Sequence, residues 1–174
     1  CSDRLSDLDY CDQLRNSPLA AARVLNGNLA DSFRPVTGLS VHYANVPMES
    51  RAHLPFGGCN DYANMAATIL RSHGIPVIVD FTPQWAKRSL GHAWNVLFSD
   101  HGRMIPFGGI CSRLGELHKF EEKMPKVYRY TYSSNPELVE LNKSENYVPT
   151  VFRNIFIHDV TKETIQCGDV TLKI

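Results

Sequence analysis

The stretch PFGGCNDYANMAATILRSHGIPV, residues 55–77, carries the clearest structural pattern in the chain and decides the fold class. Between Asp61 and His73 the apolar side chains recur at intervals of three and four residues, which predicts one face of an amphipathic helix. The residues of that face are Tyr62, Met65, Ala66, Ile69 and Leu70. Gly74 and Pro76 end the helix, and Cys59 stands at its start, behind two glycines.

A cysteine at the start of a helix has two interpretations. The unpaired backbone N–H groups and the positive end of the helix dipole favour the thiolate of Cys59, which is the nucleophilic form. Gly57 and Gly58 would let a substrate carbonyl approach, with the Cys59 N–H as an oxyanion donor. Alternatively, Cys59 is a small apolar residue packed where the helix enters the core, since cysteine is among the most often buried residue types.

Three strand-like segments follow the helix. Residues 76–81, PVIVDF, are a β-branched run typical of a buried strand, and residues 91–98, GHAWNVLF, alternate between two faces. Residues 103–107, RMIPF, follow a turn and predict the return strand of a hairpin. His92, near the start of the alternating strand, is the best candidate among the seven histidines for a base that activates Cys59.

Helical and strand-like segments flank this region. Ser17 and Pro18 predict the cap and first position of a helix, which Asn26-Gly27-Asn28 ends or interrupts. Residues 34–57 form a long irregular connection, and such loops often carry function. Further strand-like segments are KVYRYTYSS (126–134), VFRNIFIHDVT (151–161) and TIQCGDVTLKI (164–174). Helices followed by antiparallel strands indicate an α+β fold.

Charge and cysteine content narrow the function classes. The 174 residues include 18 basic and 18 acidic ones, so binding to nucleic acid through bulk electrostatics is not expected. No apolar run approaches the ~20 residues of a transmembrane helix. Because the chain starts at cysteine without a signal peptide, we expect a processed protein or a piece of a longer one. The five cysteines leave at least one thiol unpaired in a monomer, and a zinc site of Cys59, His92 and Cys111 is disfavoured because zinc ligands usually include close local pairs.

The stretch GGCNDYANMAATILRSHGIPVIVDFTPQW together with GHAWNVLF resembles the transglutaminase-like superfamily, in its bacterial cell-envelope branch. The features that carry the resemblance are Gly57, Cys59, Leu70-Arg71, Gly74-Ile75-Pro76 and His92-Ala93-Trp94. They cover residues 55–108. The resemblance implies a papain-like α+β fold, in which N-terminal helices and a central cysteine-bearing helix pack on an antiparallel sheet.

The sequence pattern predicts a division of the chain, and the resemblance implies a chemistry. Residues 1–54 would form N-terminal helices and a long loop of the same domain, residues 55–160 the core, and residues 161–174 a C-terminal strand that could begin a further β domain. Cys59 is then the nucleophile and His92 the base of acyl transfer on peptide or protein amides, through a thioester and without a cofactor or metal. Hydrolysis is expected over cross-linking, in a periplasmic, cell-surface or secreted protein that could be lipid-anchored through its parent.

The family's third catalytic residue is an aspartate, and here the pattern departs. If Pro106 is aligned with the family's proline, Gly108 stands in the aspartate position. Asp80, on the preceding strand, is the substitute candidate, while Asn95 points to the face opposite His92.

The expected substrate-binding residues are Gly58, Trp85 and Trp94. An alternative function follows from the missing aspartate at position 108. The domain would then be a catalytically impaired module that binds a peptide, a glycan or a peptidoglycan-related ligand within a larger secreted protein.

Overall fold

The computed structural model describes residues 17–32, 57–87, 89–99, 101–116 and 126–168. They form four α-helices, one short 3-10 helix and five strands. In chain order the elements are α1 (Pro18–Ser32), α2 (Cys59–Ser72), β1 (Val77–Thr82), β2 (His92–Phe98), β3 (Met104–Phe107), β4 (Tyr128–Tyr130), α3 (Pro136–Ser144), the 3-10 helix (Thr150–Arg153), β5 (Ile157–Asp159) and α4 (Thr161–Thr164). Within these ranges no helix is long and apolar enough to cross a bilayer.

The strands form one sheet in the order β3-β2-β1-β4-β5. The pairings β2–β3, β1–β4 and β4–β5 are antiparallel. In the hairpin of β2 and β3, Phe98 lies opposite Met104 and Asn95 opposite Phe107. The predicted α+β class and the predicted return strand are therefore confirmed.

The internal contacts of the chain define two compact units. The first comprises Cys1–Val79 and Ala93–Glu121, and the second comprises Asp80–His92 and Glu122–Ile174. The core of the first unit contains the fully buried side chains Leu25, Leu70, Val77, Trp94, Leu97, Phe107 and Ile110. The buried side chains of the second unit include Phe81, Val127, Ile157 and Val160.

Helix α1 begins as the sequence predicts and ends later. The Ser17 hydroxyl accepts a hydrogen bond from the Ala20 N–H at 3.3 Å, and Pro18 occupies the first turn, where it leaves no helical hydrogen bond unmade. The helix then continues through Asn26-Gly27-Asn28, so the predicted interruption there is wrong. Tertiary contacts keep the helix continuous, because Asn26 is 1% exposed and its amide donates a hydrogen bond to the Gly109 carbonyl in the same unit.

Helix α2 confirms the periodicity of its sequence. The apolar face is buried along its length, except for the half-buried Ile69. At the C-terminal end Gly74 adopts a φ of 72°, and its N–H donates to the Arg71 carbonyl at 2.9 Å. The Ile75 N–H donates to the Leu70 carbonyl at 3.1 Å, which completes a glycine-based helix stop.

The second unit contains a helix that the sequence reading did not predict. Helix α3 begins at Pro136, and the Asn135 side chain accepts a hydrogen bond from the Glu137 N–H at 3.0 Å. The predicted C-terminal strand is wrong over residues 161–168, where the chain forms α4 and then no strand. The rest of that predicted strand, residues 169–174, lies outside the described residues.

Candidate active site

Cys59 is the first residue of α2, and its side chain is half-buried. Gly58 precedes it in an extended conformation, and the Gly58 N–H donates to the Asp61 carboxylate at 2.9 Å. The first hydrogen bond at this end of the helix runs from the Tyr62 N–H to the Gly58 carbonyl at 3.2 Å. The Cys59 N–H therefore precedes the helical ladder and lies at the positive end of the helix dipole.

A tight turn, residues 108–112, follows β3 in the same unit. The Gly108 N–H donates to the Ser112 hydroxyl at 2.7 Å, and the Cys111 N–H donates to the Gly108 carbonyl at 2.9 Å. Gly109 has a φ of 61°, which is the left-handed region where glycine is favoured. We call this segment the 108–112 turn.

The 108–112 turn packs directly on the first turn of α2. A Cβ atom added to Gly109 would lie 2.8 Å from the Tyr62 carbonyl carbon and 3.0 Å from the Ala63 nitrogen, so only glycine fits at this distance. Cys111 lies two residues further along this turn. Burial raises the pKa of Cys111 to about 11, and the negative charge of the Cys59 thiolate adds to the effect.

Two buried asparagines fix the surroundings of Cys59. The Asn26 amide nitrogen donates to the Gly109 carbonyl at 3.0 Å and to the Ser112 carbonyl at 3.2 Å, which ties the 108–112 turn to α1. The Asn95 amide nitrogen donates to the Ala63 carbonyl at 2.9 Å and to the Ile78 carbonyl at 3.3 Å, which ties α2 to β1. The sequence reading missed the role of Asn26 and the position of Cys111, because both arise from contacts between segments distant in the chain.

Gly108 has the conformation and contacts of a turn residue. It carries no carboxylate, and a Cβ added there would lie 3.0 Å from the Ser112 hydroxyl oxygen. The Asn95 amide nitrogen donates to two backbone acceptors of the first unit. The role of position 108 in a triad stays a prediction.

His92 begins β2 and is half-buried in the second unit. The indole ring of Trp85 stacks on the imidazole, with ring centroids 5.8 Å apart and 23° between the ring planes. The backbone N–H of Trp85 donates to the Leu90 carbonyl at 3.0 Å, which closes the loop that carries the tryptophan back toward β2. Gly91 allows the close return, because a Cβ there would lie 2.6 Å from the Thr82 carbonyl oxygen.

Asp80 forms a buried ion pair in the second unit. Its carboxylate is 0% exposed and accepts two hydrogen bonds from the Arg129 guanidinium, at 2.8 Å and 2.9 Å. Burial raises the pKa of Asp80 above its usual range, and Arg129 opposes that shift. Arg129 also donates to Glu163 at 2.9 Å. A role for Asp80 in orienting His92 stays a prediction.

The three expected substrate-binding residues lie in different environments. Gly58 is exposed at the start of α2, Trp85 is buried against His92, and Trp94 is fully buried in the core of the first unit. Within the described ranges no three His, Cys, Asp or Glu side chains are grouped so that they could hold a metal ion. The structure packs the turn that carries Cys111 on the helix that Cys59 begins, and it stacks Trp85 on His92. The catalytic pairing of Cys59 with His92 stays a prediction.

Comparison with known proteins identifies the family. The family model of the transglutaminase-like superfamily matches residues 12–108, a range that contains both Cys59 and His92 and ends at Gly108. Neither a search of curated proteins nor a search of solved structures found a match. The family match covers more than half of the 174 residues and spans α1, α2 and the first three strands. The chain therefore belongs to the transglutaminase-like superfamily.

Proposed function

We propose that this domain catalyses acyl transfer on amide bonds of peptides or proteins, with Cys59 as nucleophile, and that its main reaction is hydrolysis. The observation that carries the proposal is the place of Cys59 at the first position of α2, half-buried and preceded by an exposed glycine. At that position the sulfur lies at the positive end of the helix dipole and remains accessible to a substrate. Membership of the transglutaminase-like superfamily supports the same chemistry.

The proposed reaction proceeds in two steps. The Cys59 sulfur attacks the carbonyl carbon of the amide, and the backbone N–H of Cys59 stabilises the oxyanion that forms. His92 takes the thiol proton and gives it to the departing amine as the carbon–nitrogen bond breaks, leaving a thioester on Cys59. Water then attacks the thioester, with His92 again as base, and releases the acid and the free thiol. An amine in place of water would give cross-linking.

The stack of Trp85 on His92 supports activity despite the glycine at position 108. The third residue of a cysteine triad mainly fixes the orientation and tautomer of the histidine ring. A buried indole at 5.8 Å restricts the plane of the His92 ring. Because position 108 is a glycine, we expect slower turnover than the family's complete triad would give.

The test is turnover of a quenched fluorescent casein by the wild-type domain and by Cys59→Ser. Cys167→Ser is the matched control, since Cys167 is an exposed free thiol of the second unit. We expect turnover that Cys59→Ser abolishes, that Cys167→Ser preserves and that His92→Asn lowers. A dansylated primary amine included in the assay separates hydrolysis from cross-linking, because only cross-linking attaches the dye to casein. Turnover that persists in Cys59→Ser would contradict the proposal.

A second candidate function rests on Gly108, where the family pattern has an aspartate. In that case the domain binds a peptide or glycan without turning it over. It predicts that a peptide or peptidoglycan fragment binds wild type and Cys59→Ala with equal affinity, and that neither releases product. Calorimetric titration of the two proteins measures these affinities. Casein turnover that is lost in Cys59→Ser would exclude the binding module, because a binding module has no turnover to lose.

We also propose an exported setting in the bacterial cell envelope, on the resemblance of residues 55–108 to that branch of the superfamily. In that compartment the half-buried free thiol of Cys59 would meet oxidising conditions. Fractionation of cells that express the full parent protein tests the setting. Recovery of the protein in the soluble cytoplasmic fraction alone would contradict it.

A further inference from the structure

Two free thiols lie on segments that pack against each other, Cys59 at the start of α2 and Cys111 in the 108–112 turn. Cys59 occupies the first helical position and is half-buried, and Cys111 lies in the 108–112 turn and is exposed. The turn is held against the helix by the contact of Gly109 with the Tyr62 carbonyl and by the two hydrogen bonds from Asn26. The segments that carry Cys59 and Cys111 are therefore held together by packing within a single compact unit.

The pKa of the Cys111 thiol responds to the charge of Cys59. The residue Cys111 is exposed as a whole, yet its sulfur is desolvated enough to raise the thiol pKa to about 11, and the Cys59 thiolate contributes to that shift. Capping Cys59 as a neutral disulfide removes this contribution. The Cys111 pKa then falls, and its thiolate becomes more available when Cys59 has been modified.

We propose that Cys59 and Cys111 form a reversible intramolecular disulfide when the domain meets a small-molecule disulfide oxidant. The bond would block the nucleophile, a consequence that rests on the proposed function, whereas formation of the bond does not. Cys111 is thus a resolving cysteine for Cys59. Nothing in the proposed amide chemistry uses Cys111.

The exchange balances with an oxidised glutathione molecule as the oxidant. The Cys59 thiolate attacks one sulfur of the oxidant, whose S–S bond breaks, giving a mixed disulfide on Cys59 and one glutathione thiolate. Cys111 loses its proton to solvent and attacks the Cys59 sulfur, which releases the second glutathione thiolate. The two protein thiols lose two electrons and two protons in total, and the oxidant is reduced to two molecules of glutathione.

The experiment is incubation of the domain with oxidised glutathione, followed by peptide mapping under non-reducing conditions. The modified peptides must be identified by mass spectrometry, because the thiols of Cys1 and Cys11 can also react with the oxidant. We expect wild type and Cys167→Ser to give a peptide pair linked through Cys59 and Cys111, which dithiothreitol separates. Cys111→Ser and Cys111→Ala should instead accumulate glutathione on Cys59, by at least tenfold over wild type.

Two results would overturn the proposal. One is a wild-type protein that accumulates glutathione on Cys59 as fully as Cys111→Ser and yields no linked pair. The other is a wild-type protein in which neither the mixed disulfide nor the linked pair forms. Both readouts are independent of turnover, so a domain without amidase activity still tests the disulfide. If casein turnover is found, its loss on oxidation should be reversed by dithiothreitol in wild type.

Discussion

The backbone of Gly109 lies against the carbonyl group of Tyr62, at a distance that leaves no room for a Cβ atom. This contact joins the 108–112 turn to the first turn of the helix that Cys59 begins. It also places a residue with positive φ against the helix that the candidate nucleophile begins. The geometry around Cys59 therefore depends on the identity of a residue 50 positions later in the chain.

Replacing Gly109 with alanine should destabilise the first unit strongly. The positive φ alone costs an alanine about 1 kcal/mol, and the overlap with Tyr62 should add ~1–3 kcal/mol. Gly102→Ala is the control, because Gly102 has a φ of 70° and nothing within 4 Å of the added Cβ. Urea unfolding of both variants measures the difference. Equal losses in the free energy of unfolding would mean that the contact with Tyr62 relaxes without cost.

Asn26 should be more important for stability than its helical neighbours. Replacing Asn26 with alanine leaves the Gly109 and Ser112 carbonyls without their amide donor, which should cost ~1–3 kcal/mol. Asn28→Ala, at an exposed position of the same helix, should change stability by no more than about 0.5 kcal/mol. Thermal unfolding followed by circular dichroism compares the two variants. A similar melting temperature for both variants would show that the two Asn26 hydrogen bonds do not stabilise the first unit.

Local patterns predicted the elements that build the site, and long-range contacts decided the rest. The spacing of apolar residues predicted α2, and the alternation in GHAWNVLF predicted β2, because each pattern reflects the side-chain geometry of one element. Asn-Gly-Asn predicted a break in α1, yet the hydrogen bonds of Asn26 to a distant turn favour a continuous helix. Helix α3 has a readable cap at Asn135-Pro136, in a segment for which no element was predicted from the sequence.

Local sequence patterns predict even less about the neighbours of Cys59. Cys111 lies in a polar segment whose sequence gives no sign of a partner, and only the packing of Gly109 on α2 brings it near Cys59. Asp80 was a candidate to orient His92 on strand adjacency alone, and its partner Arg129 lies in a segment far along the chain. Pairings of this kind follow from the register of β1 and β4, which no local pattern determines.

The stack of Trp85 on His92 should influence catalysis through ring orientation. Trp85→Leu removes the stacked ring, and we expect kcat to fall about tenfold with little change in KM, since a misoriented base raises the barrier by ~1.4 kcal/mol. Trp85→Phe keeps an aromatic face and should retain most of the activity. The pH–rate profile is the diagnostic readout, because loss of the stack should shift the limb assigned to His92. A uniform loss in both variants, in proportion to their melting temperatures, would indicate a structural role only.

Breaking the Asp80–Arg129 pair should lower the free energy of unfolding, by an amount that depends on pH. Arg129→Met leaves a 0% exposed carboxylate without its guanidinium, which should cost ~3–5 kcal/mol at neutral pH. Burial already raises the Asp80 pKa, and losing Arg129 raises it further, so the neutral acid is favoured in the folded state. The contribution of a group with a raised pKa is present at low pH and is lost as pH rises through that pKa. The deficit of Arg129→Met should therefore shrink as pH falls toward about 4, near the unfolded value.

Two companion variants test that interpretation. Asp80→Asn/Arg129→Met removes both charges and should be more stable at neutral pH than Arg129→Met alone. Glu163→Gln removes the exposed partner of Arg129 and should cost no more than about 1 kcal/mol. Urea unfolding across pH measures all three. A deficit of Arg129→Met that is constant with pH would show that Asp80 is not the group responsible.

The two thiols near the start of α2 should differ in their response to pH. Because the pKa of Cys111 is raised to about 11, Cys111 is protonated at neutral pH and should react slowly with iodoacetamide, at a rate that rises until the pH approaches 11. Cys167, an exposed thiol of the second unit, is the internal reference. Since the Cys59 thiolate contributes to the raised value, Cys59→Ser should lower the Cys111 pKa and speed its alkylation at a fixed alkaline pH. Peptide-resolved alkylation rates in the two proteins measure the shift, and an unchanged Cys111 profile would show that the two sulfurs are electrostatically independent.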